Sequence, residues 1–223
     1  MVSIVISARN EEASIAAVIE QCRAYGDEVI VMLGNSTDRT REIAAGLGVK
    51  VFADNGKGKG AAIRQAISLV SGEITVFIDA DGSHDPHDIP KLTCPILRGE
   101  VDHVTASRML GGSSELHGGF EEFLRLTGSA FITTCINRRF NARLSDSQNG
   151  FRATRTSVLR QLDLQENGTT IEQEMIIKLL RKGFSIAEVP SHERERVAGR
   201  SSIRLGKVWF RYGYSLVKYL FWQ

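Results

Sequence analysis

The stretch TVFIDADGSHDP, Thr75 to Pro86, decides the fold. Its first residues, Thr75, Val76, Phe77 and Ile78, are β-branched or aromatic and read as a buried strand. The strand runs into two carboxylates, Asp79 and Asp81, with Ala80 between them. Gly82 and Ser83 then turn the chain, and Pro86 suits the first turn of a following helix. Acidic side chains at the carboxyl end of a central strand lie where open α/β sheets bind ligands. Carboxylates this close repel each other unless a cation lies between them. Mg²⁺ or Mn²⁺ prefers oxygen ligands and keeps positions open for substrate phosphate. A bare Asp-x-Asp reads as a solvated turn; the strand before it and the glycine after it favour a metal site at Asp79 and Asp81.

Working outward, VSIVIS (Val2–Ser7) is a continuous apolar strand of the kind found inside a parallel sheet. An amphipathic helix follows from about Ser14 to Ala24. Strands at Asp27–Met32 and Lys50–Ala53, with helices to Leu47 and over Ala61–Val70, lead into the Thr75 strand. A helix from Pro86 to about Arg98 and a strand at Asp102–Ser107 complete this half. The alternation predicts an α/β fold with a mostly parallel central sheet flanked by helices. Beyond it come a long helix (Glu121–Asn137), a polar loop (Ser145–Arg152) feeding a short strand, and helices at Arg155–Leu162 and Ile171–Lys182. A strand at Phe184–Val189 ends this second half, and no linker divides the two.

The composition is that of an ordinary globular chain: 223 residues, 42% apolar, 24% charged, net charge +2. That charge implies no general affinity for nucleic acid. Cys22, Cys94 and Cys135 are scattered and odd in number, which argues for reduced thiols in a cytosolic compartment. Met1–Ser7 is too short for a signal peptide, and no run of about 18 apolar residues predicts a transmembrane helix.

The loop Gly56–Gly60 opens a helix and could cradle phosphate, or simply turn the chain between solvated lysines. It has neither the P-loop nor the dinucleotide spacing. Glu11 and Glu12 fit helix-start acids or acceptors of nucleotide hydrogen bonds; Asp38 reads first as a helix cap. Arg108 ends a strand at the same crevice, within reach of phosphate. Asp146, Arg152, Glu172 and Glu174 form a second polar group, in which Glu174 lies among apolar residues and faces inward. His84 is a third metal ligand or a turn residue. From Arg194 to Gln223 there are seven Lys or Arg and one acid. On a helix over Gly206–Gln223, Lys207, Arg211 and Lys218 share one stripe and the remainder is aromatic and aliphatic. That pattern suits a membrane interface slightly better than docking on the protein's own body or on a second copy.

Together these stretches resemble the family 2 glycosyltransferases of GT-A fold, and within them the dolichyl- or polyprenyl-phosphate hexose (mannose) synthases. The resemblance is carried, in this order, by SIVISARNEE, EVIVMLGNSTDRT, GKGAAI, FIDADGSHDP, Ser107-Arg108, DSQNGFR, the EQEM helix and RVAGRSSIRL. It implies a metal-dependent, inverting transfer of a hexose from GDP- or UDP-hexose to a polyprenyl phosphate. It further implies a GT-A catalytic domain over 1–193, with a nucleotide-sugar half (1–108) and an acceptor half (109–193). A basic loop and an amphipathic interface helix (194–223) would then seat the protein peripherally on the cytoplasmic face of a membrane.

By the same resemblance, Ser7, Arg9, Glu11, Asp38, Lys59, Asp79, Ala80, Asp81 and Arg108 bind the nucleotide sugar. Asp79 and Asp81 hold Mg²⁺ or Mn²⁺. Arg152, Glu174, Arg196, Arg200 and Ser201 gather the acceptor or its phosphate, and Asp81, Asp146 and Arg152 are the catalytic set. A phosphate monoester is already an anionic nucleophile and needs no strong base, whereas a hydroxyl acceptor would call on Asp146 or Glu174. Two positions depart from the family. Leu33 stands where an aspartate contacts base or ribose, and Ser83 stands where the mannose branch often has glutamine. Two rivals follow: a soluble enzyme of this fold acting on a small phosphorylated acceptor, and a non-catalytic subunit that lost nucleotide binding through Leu33.

Overall fold

A computed structural model describes residues 1–54, 56–114, 120–198 and 205–222. Among them, seven strands form one sheet in the order β3-β2-β1-β4-β6-β5-β7. The strands are β1 (Val2–Ala8), β2 (Glu28–Leu33), β3 (Lys50–Ala53), β4 (Ile74–Asp79), β5 (His103–Ser107), β6 (Arg152–Arg155) and β7 (Ile186–Pro190). All pair in parallel except β6, which runs antiparallel between β4 and β5. β4 is thus hydrogen-bonded on both edges, and its residues from Ile74 to Ile78 are buried, as the Thr75 stretch predicts.

Alternation along the strands divides the core. Ile4, Ile6, Val31 and Leu33 face helices α1 (Ile15–Cys22), α2 (Thr40–Gly46) and α4 (Ile89–Leu97) through Ile15, Ile19, Ala44, Leu92 and Ile96. Val5, Ile30, Met32 and Phe77 face α3 (Lys59–Leu69) and α8 (Ile171–Arg181) through Ile63, Ala66 and Met175. Short helices α5 (Arg108–Gly111) and α7 (Thr156–Leu159) follow β5 and β6, and α6 (Phe120–Phe140) is the long helix of the second half. The register aligns Ser7 with Asp79 and Ala8 with Leu33, so β1, β2 and β4 end at one level.

The last helix, α9 (Leu205–Val217), continues into a wider π turn at Lys218–Trp222. Its inner face docks on the protein's own body. Leu216, Tyr219 and Leu220 are buried against Ile132 and Ile136 of α6 and Ile176 and Ile177 of α8. Lys218 lies over the Tyr219 ring and pairs with Glu166 at 3.7 Å. The outward face is the aromatic one: Phe210 is 82% exposed and Trp222 71%. Apolar burial of the inner face outweighs the stripe, because the helix carries aliphatic and aromatic residues on more than one side. Among the described residues no helix is long and apolar enough to cross a membrane.

The outer end of the sheet is tied by Glu28, which accepts hydrogen bonds from Ser3 and Ser71 and pairs with Lys50 at 2.7 Å. Partial burial raises its pKa, but Lys50 and the serine donors outweigh that and hold it at about 2. A depressed carboxylate contributes stability above its unfolded pKa and loses it as the pH falls through the folded one. Urea denaturation of Glu28→Gln and the parent chain from pH 6 to pH 2 is expected to show a stability gap that closes between roughly pH 4.5 and 2. A gap constant with pH would refute the assignment.

Candidate active site

Asp79 ends β4 beside Ser7, and the Ala80 N–H donates to the Ser7 carbonyl at 3.0 Å, which carries the strand pairing one residue into the turn. Gly82 takes φ +76°, a left-handed conformation that suits glycine. Asp81 Oδ1 accepts from the Ser83 N–H (3.0 Å) and hydroxyl (2.7 Å). Ser83, one of the two departures from the family pattern, therefore aims Asp81.

Lys59, at the start of α3, binds Asp79 Oδ2 at 2.7 Å and Glu172 Oε1 of α8 at 3.1 Å. Burial lowers the Lys59 pKa, but the two carboxylates outweigh it and keep the ammonium charged above its usual range. Burial likewise raises Asp79, while Lys59 holds it below the usual carboxylate range. Gly150 lies directly on this pair: a Cβ there would stand 2.8 Å from Lys59 Nζ and 3.0 Å from Asp79 Oδ2. The glycines on either side of Lys59 serve packing. A Cβ on Gly58 would stand 2.7 Å from the Asn167 carbonyl, and the Gly60 N–H donates to that carbonyl at 2.8 Å. The loop's close approach to residues 166–168, more than a phosphate cradle, explains GKGKG.

A strap from the C-terminal part crosses the acidic turn. Arg194 N–H donates to the Ser83 carbonyl (2.8 Å) and Val197 N–H to the Asp81 carbonyl (3.1 Å). Arg196 binds Glu11 at 2.6 Å and reaches Asp81 at 3.5 Å. Burial raises the Glu11 pKa against the pull of Arg196.

Two cavities meet here. One includes Ser7, Arg9, Glu11, Met32, Asn35 and Asp54 at the ends of β1, β2 and β3; the other includes Arg108, Arg125, Asn149, Glu172, Arg194 and Tyr212. Lys59, Asp79, Asp81, Thr169 and Arg196 line both, so the carboxylate pair stands at their junction. Asp79 Oδ1 carries no hydrogen bond or ion pair among the described residues, and Asp81 Oδ2 only the 3.5 Å approach of Arg196, so one oxygen of each carboxylate is without a hydrogen-bond donor and suits a hard cation. No cluster of three or more His, Cys, Asp or Glu suited to a metal occurs among the described residues. Substrate phosphate and water would complete the coordination, as Mg²⁺ and Mn²⁺ sites allow.

The remaining expected residues divide. Ser7, Arg9, Glu11, Lys59, Ala80, Arg108 and Arg196 line the cavities. Four others lie outside the lining. Asp38 is engaged by Thr40 and the Glu12 N–H. Asp146, buried, grips Arg108 through both oxygens (2.6 and 3.0 Å); burial raises its pKa but Arg108 holds it low. Arg152, 2% exposed, donates to the Asn149 and Glu172 carbonyls, so it supports the loop under the site and does not face phosphate. Glu174 accepts the Gln165 and Glu166 N–H groups (2.8 Å each) and pairs with Lys178. Arg200 and Ser201 lie outside the described residues.

Glu172, two residues before Glu174 and about 200° round the helix, is the cavity-facing acid. Leu33 is 2% exposed and points into the core beneath α1, while Met32 faces the cavity. The cavity's carboxylate at this edge comes instead from Asp54, whose N–H donates to the Leu33 carbonyl at 2.8 Å. Sequence reasoning passed over Asp54, although its place just after β3 puts it at the same sheet edge. His84 lines the second cavity, 5% exposed, against Phe151.

A family model described as Glycosyl transferase family 2 matches residues 3–163. The chain is 32% identical over 209 residues to the low-salt glycan biosynthesis hexosyltransferase Agl6 of Haloferax volcanii, covering 90% of this chain and 50% of that protein. It is 27% identical over 203 residues to a dolichyl-phosphate hexose transferase of the same organism, covering 90% and 86%. Glucosyl-3-phosphoglycerate synthase from Mycobacterium tuberculosis, in complex with Mn²⁺, uridine diphosphate and phosphoglyceric acid, superposes with a TM-score of 0.81 at 26% identity, covering 99% of this chain and 78% of that one. The same synthase with Mg²⁺ and uridine diphosphate gives 0.80. The chain spans 50% of Agl6 and 59% of the glycosyltransferase AglJ from Haloferax volcanii, about half the length of these relatives.

Lys59→Met would leave Asp79 and Glu172 facing each other without a cation. The expected loss is about 2–3 kcal/mol at pH 7, below the value for a fully buried pair because Asp79 is partly solvated. In the variant Asp79 loses the ammonium that holds its pKa down, so falling pH neutralises it and the deficit shrinks by pH 5. Urea denaturation at the two pH values checks both statements.

Proposed function

We propose that this chain, which belongs to glycosyl transferase family 2, moves a hexose from a nucleotide sugar to a polyprenyl phosphate with the help of Mg²⁺ or Mn²⁺. The observation that carries this reading is the position of Asp79 and Asp81 at the junction of two cavities, one of which is lined by Arg108, Arg125, Arg194 and Arg196. Guanidinium groups suit a phosphate nucleophile, which they can orient through paired hydrogen bonds.

Asp79 and Asp81 would hold the divalent cation, which when bound neutralises charge on the leaving diphosphate. The acceptor's phosphate oxygen attacks the anomeric carbon in line, the bond from that carbon to the diphosphate breaks, and its electron pair leaves with the nucleotide. Configuration inverts. No proton has to be removed, which agrees with the engagement of Asp146 by Arg108 and of Glu174 by two N–H groups and Lys178. The chain's own work is positioning and electrostatic. Lys59 and Arg196 hold the carboxylates, Asp146 aims Arg108, and Arg152 props the Asn149–Gly150 loop.

A lipid acceptor is supported by the walls of the phosphate cavity. α6 and α9 line it through Ser129, Ile132 and Tyr212, and elsewhere α6, α9 and the π turn after it expose Phe131, Phe210, Phe221 and Trp222. Such a face suits the headgroup region at the cytoplasmic side of a membrane. A small phosphorylated acceptor is the second reading, favoured by the phosphoglyceric acid in the similar synthase.

The test pairs a thermal-shift panel with a transfer assay. One of UDP, GDP or their hexose conjugates is expected to raise Tm in a Mn²⁺-dependent way, by roughly 5–10 °C at saturation. Hexose should then pass to polyprenyl phosphate in vesicles, and Asp81→Asn should slow that transfer roughly a hundredfold or more. Transfer to phosphoglyceric acid but not to lipid would decide for the second reading. A folded protein silent to every nucleotide would point to a non-catalytic subunit.

A further inference from the structure

Adjacent residues of α9 reach the two cavities. Tyr212 lines the phosphate side and its hydroxyl donates to the Thr169 carbonyl at 3.3 Å, while Arg211 lines the nucleotide side. Gln173 Nε2 donates to the Tyr212 carbonyl at 3.3 Å, and the burial of Ser215, Leu216 and Tyr219 seats the helix in this orientation. The Arg211 side chain crosses Gly168 so closely that a Cβ there would stand 2.8 Å from Nη1.

Lys59 is matched by Asp79 and Glu172, Arg196 by Glu11 and Asp81, Arg108 by Asp146, and Arg194 by Asp85. Two cations lining the cavity that contains Asp79 and Asp81 have no carboxylate or hydrogen-bond partner among the described residues: Arg9, just after β1 and beside Gly34, and Arg211, the one contributed by α9. The nucleotide cavity as a whole is lined by four acids (Glu11, Asp54, Asp79, Asp81) and four cations (Arg9, Lys59, Arg196, Arg211). Its protein charges therefore cancel. A nucleotide-sugar diphosphate brings one negative charge on each phosphate, and a divalent cation at Asp79 and Asp81 offsets both. Without Arg211 the filled cavity would be short of positive charge, and the diphosphate would lack an uncommitted donor fork from this wall.

We infer that Arg211 binds the diphosphate of the donor, so that α9 is part of the nucleotide-sugar site as well as of the acceptor wall. The inference rests on the reading of this cavity as a nucleotide-sugar site. A guanidinium held over glycine presents its N–H groups to phosphate oxygens, a geometry that lysine does not reproduce. Because coupling is reciprocal, a bound donor also holds α9 in place.

The experiment is calorimetric titration of UDP, GDP and their monophosphates, with Mn²⁺, into the parent chain, Arg211→Gln, Arg211→Lys and Tyr214→Ser. Tyr214 is on the same helix, 56% exposed and outside both cavities, so it reports on seating of the helix alone. Arg211→Gln is expected to weaken the preferred diphosphate roughly tenfold or more, with a smaller loss for its monophosphate. Arg211→Lys should fall between, and Tyr214→Ser should bind like the parent. Equal diphosphate affinity in Arg211→Gln and the parent would overturn the inference. So would equal losses in Arg211→Gln and Tyr214→Ser, which would mean that helix seating and not contact is at stake. If the parent chain binds no nucleotide, the nucleotide-sugar reading itself fails and the inference falls with it.

Discussion

One ammonium group organises the site. Lys59 stands between Asp79 at the end of β4 and Glu172 on α8, and so joins the central strand to the helix on its second face. Two carboxylates brought together there by the topology would otherwise repel across a partly dehydrated crevice. With the lysine in place, Asp79 stays ionised, and Gly150 brings the polar loop down onto the pair. The same demand explains the glycines on either side of Lys59: the lysine reaches the end of β4 because Gly58 and Gly60 let α3 begin against the backbone at 166–168.

Around this centre the chain repeats one device, a cation aimed by a buried or half-buried acid. Arg108 is aimed by Asp146, Arg196 by Glu11, and Asp146 is in turn placed by Glu188, which accepts the N–H groups of Ser145 and Asp146. Paired in this way, the arginines hold fixed orientations toward the cavity, and a phosphate can bind without reorganising them. The acids that look catalytic in the sequence, Asp146 and Glu174, are engaged in the same way. A carboxylate gripped by a guanidinium or by backbone N–H groups is a poor base.

The C-terminal part contributes walls from two directions. The strap through Arg194–Val197 lies across the acidic turn, and α9 closes the far side with Arg211 and Tyr212. The outer face of α9 stays aromatic. Cavity lining and an exposed aromatic face thus share one element.

The parallel sheet, its helices and the position of Asp79 and Asp81 were legible in the residues themselves. Continuous apolar strands, a change of period into helices and an acid at a strand end are local signals, written over a few residues. Lys59, Arg108 and Arg196 were legible through the order of motifs. What the sequence left open depends on direction more than on residue type. Glu172 and Glu174 are equally acidic, and which one meets the cavity is decided by about half a turn of helix and by what packs beneath it. Leu33 looked like a missing ligand until pairing with β1 turned it into the core and left Asp54, just after the neighbouring strand, at the cavity. Arg211 belonged to a basic stripe in the sequence and lines the cavity at the ends of β1, β2 and β3 in the structure, because burial of Leu216, Tyr219 and Leu220 sets the rotation of α9. Local pattern determines which elements form; long-range packing alone determines which face of each element meets the site.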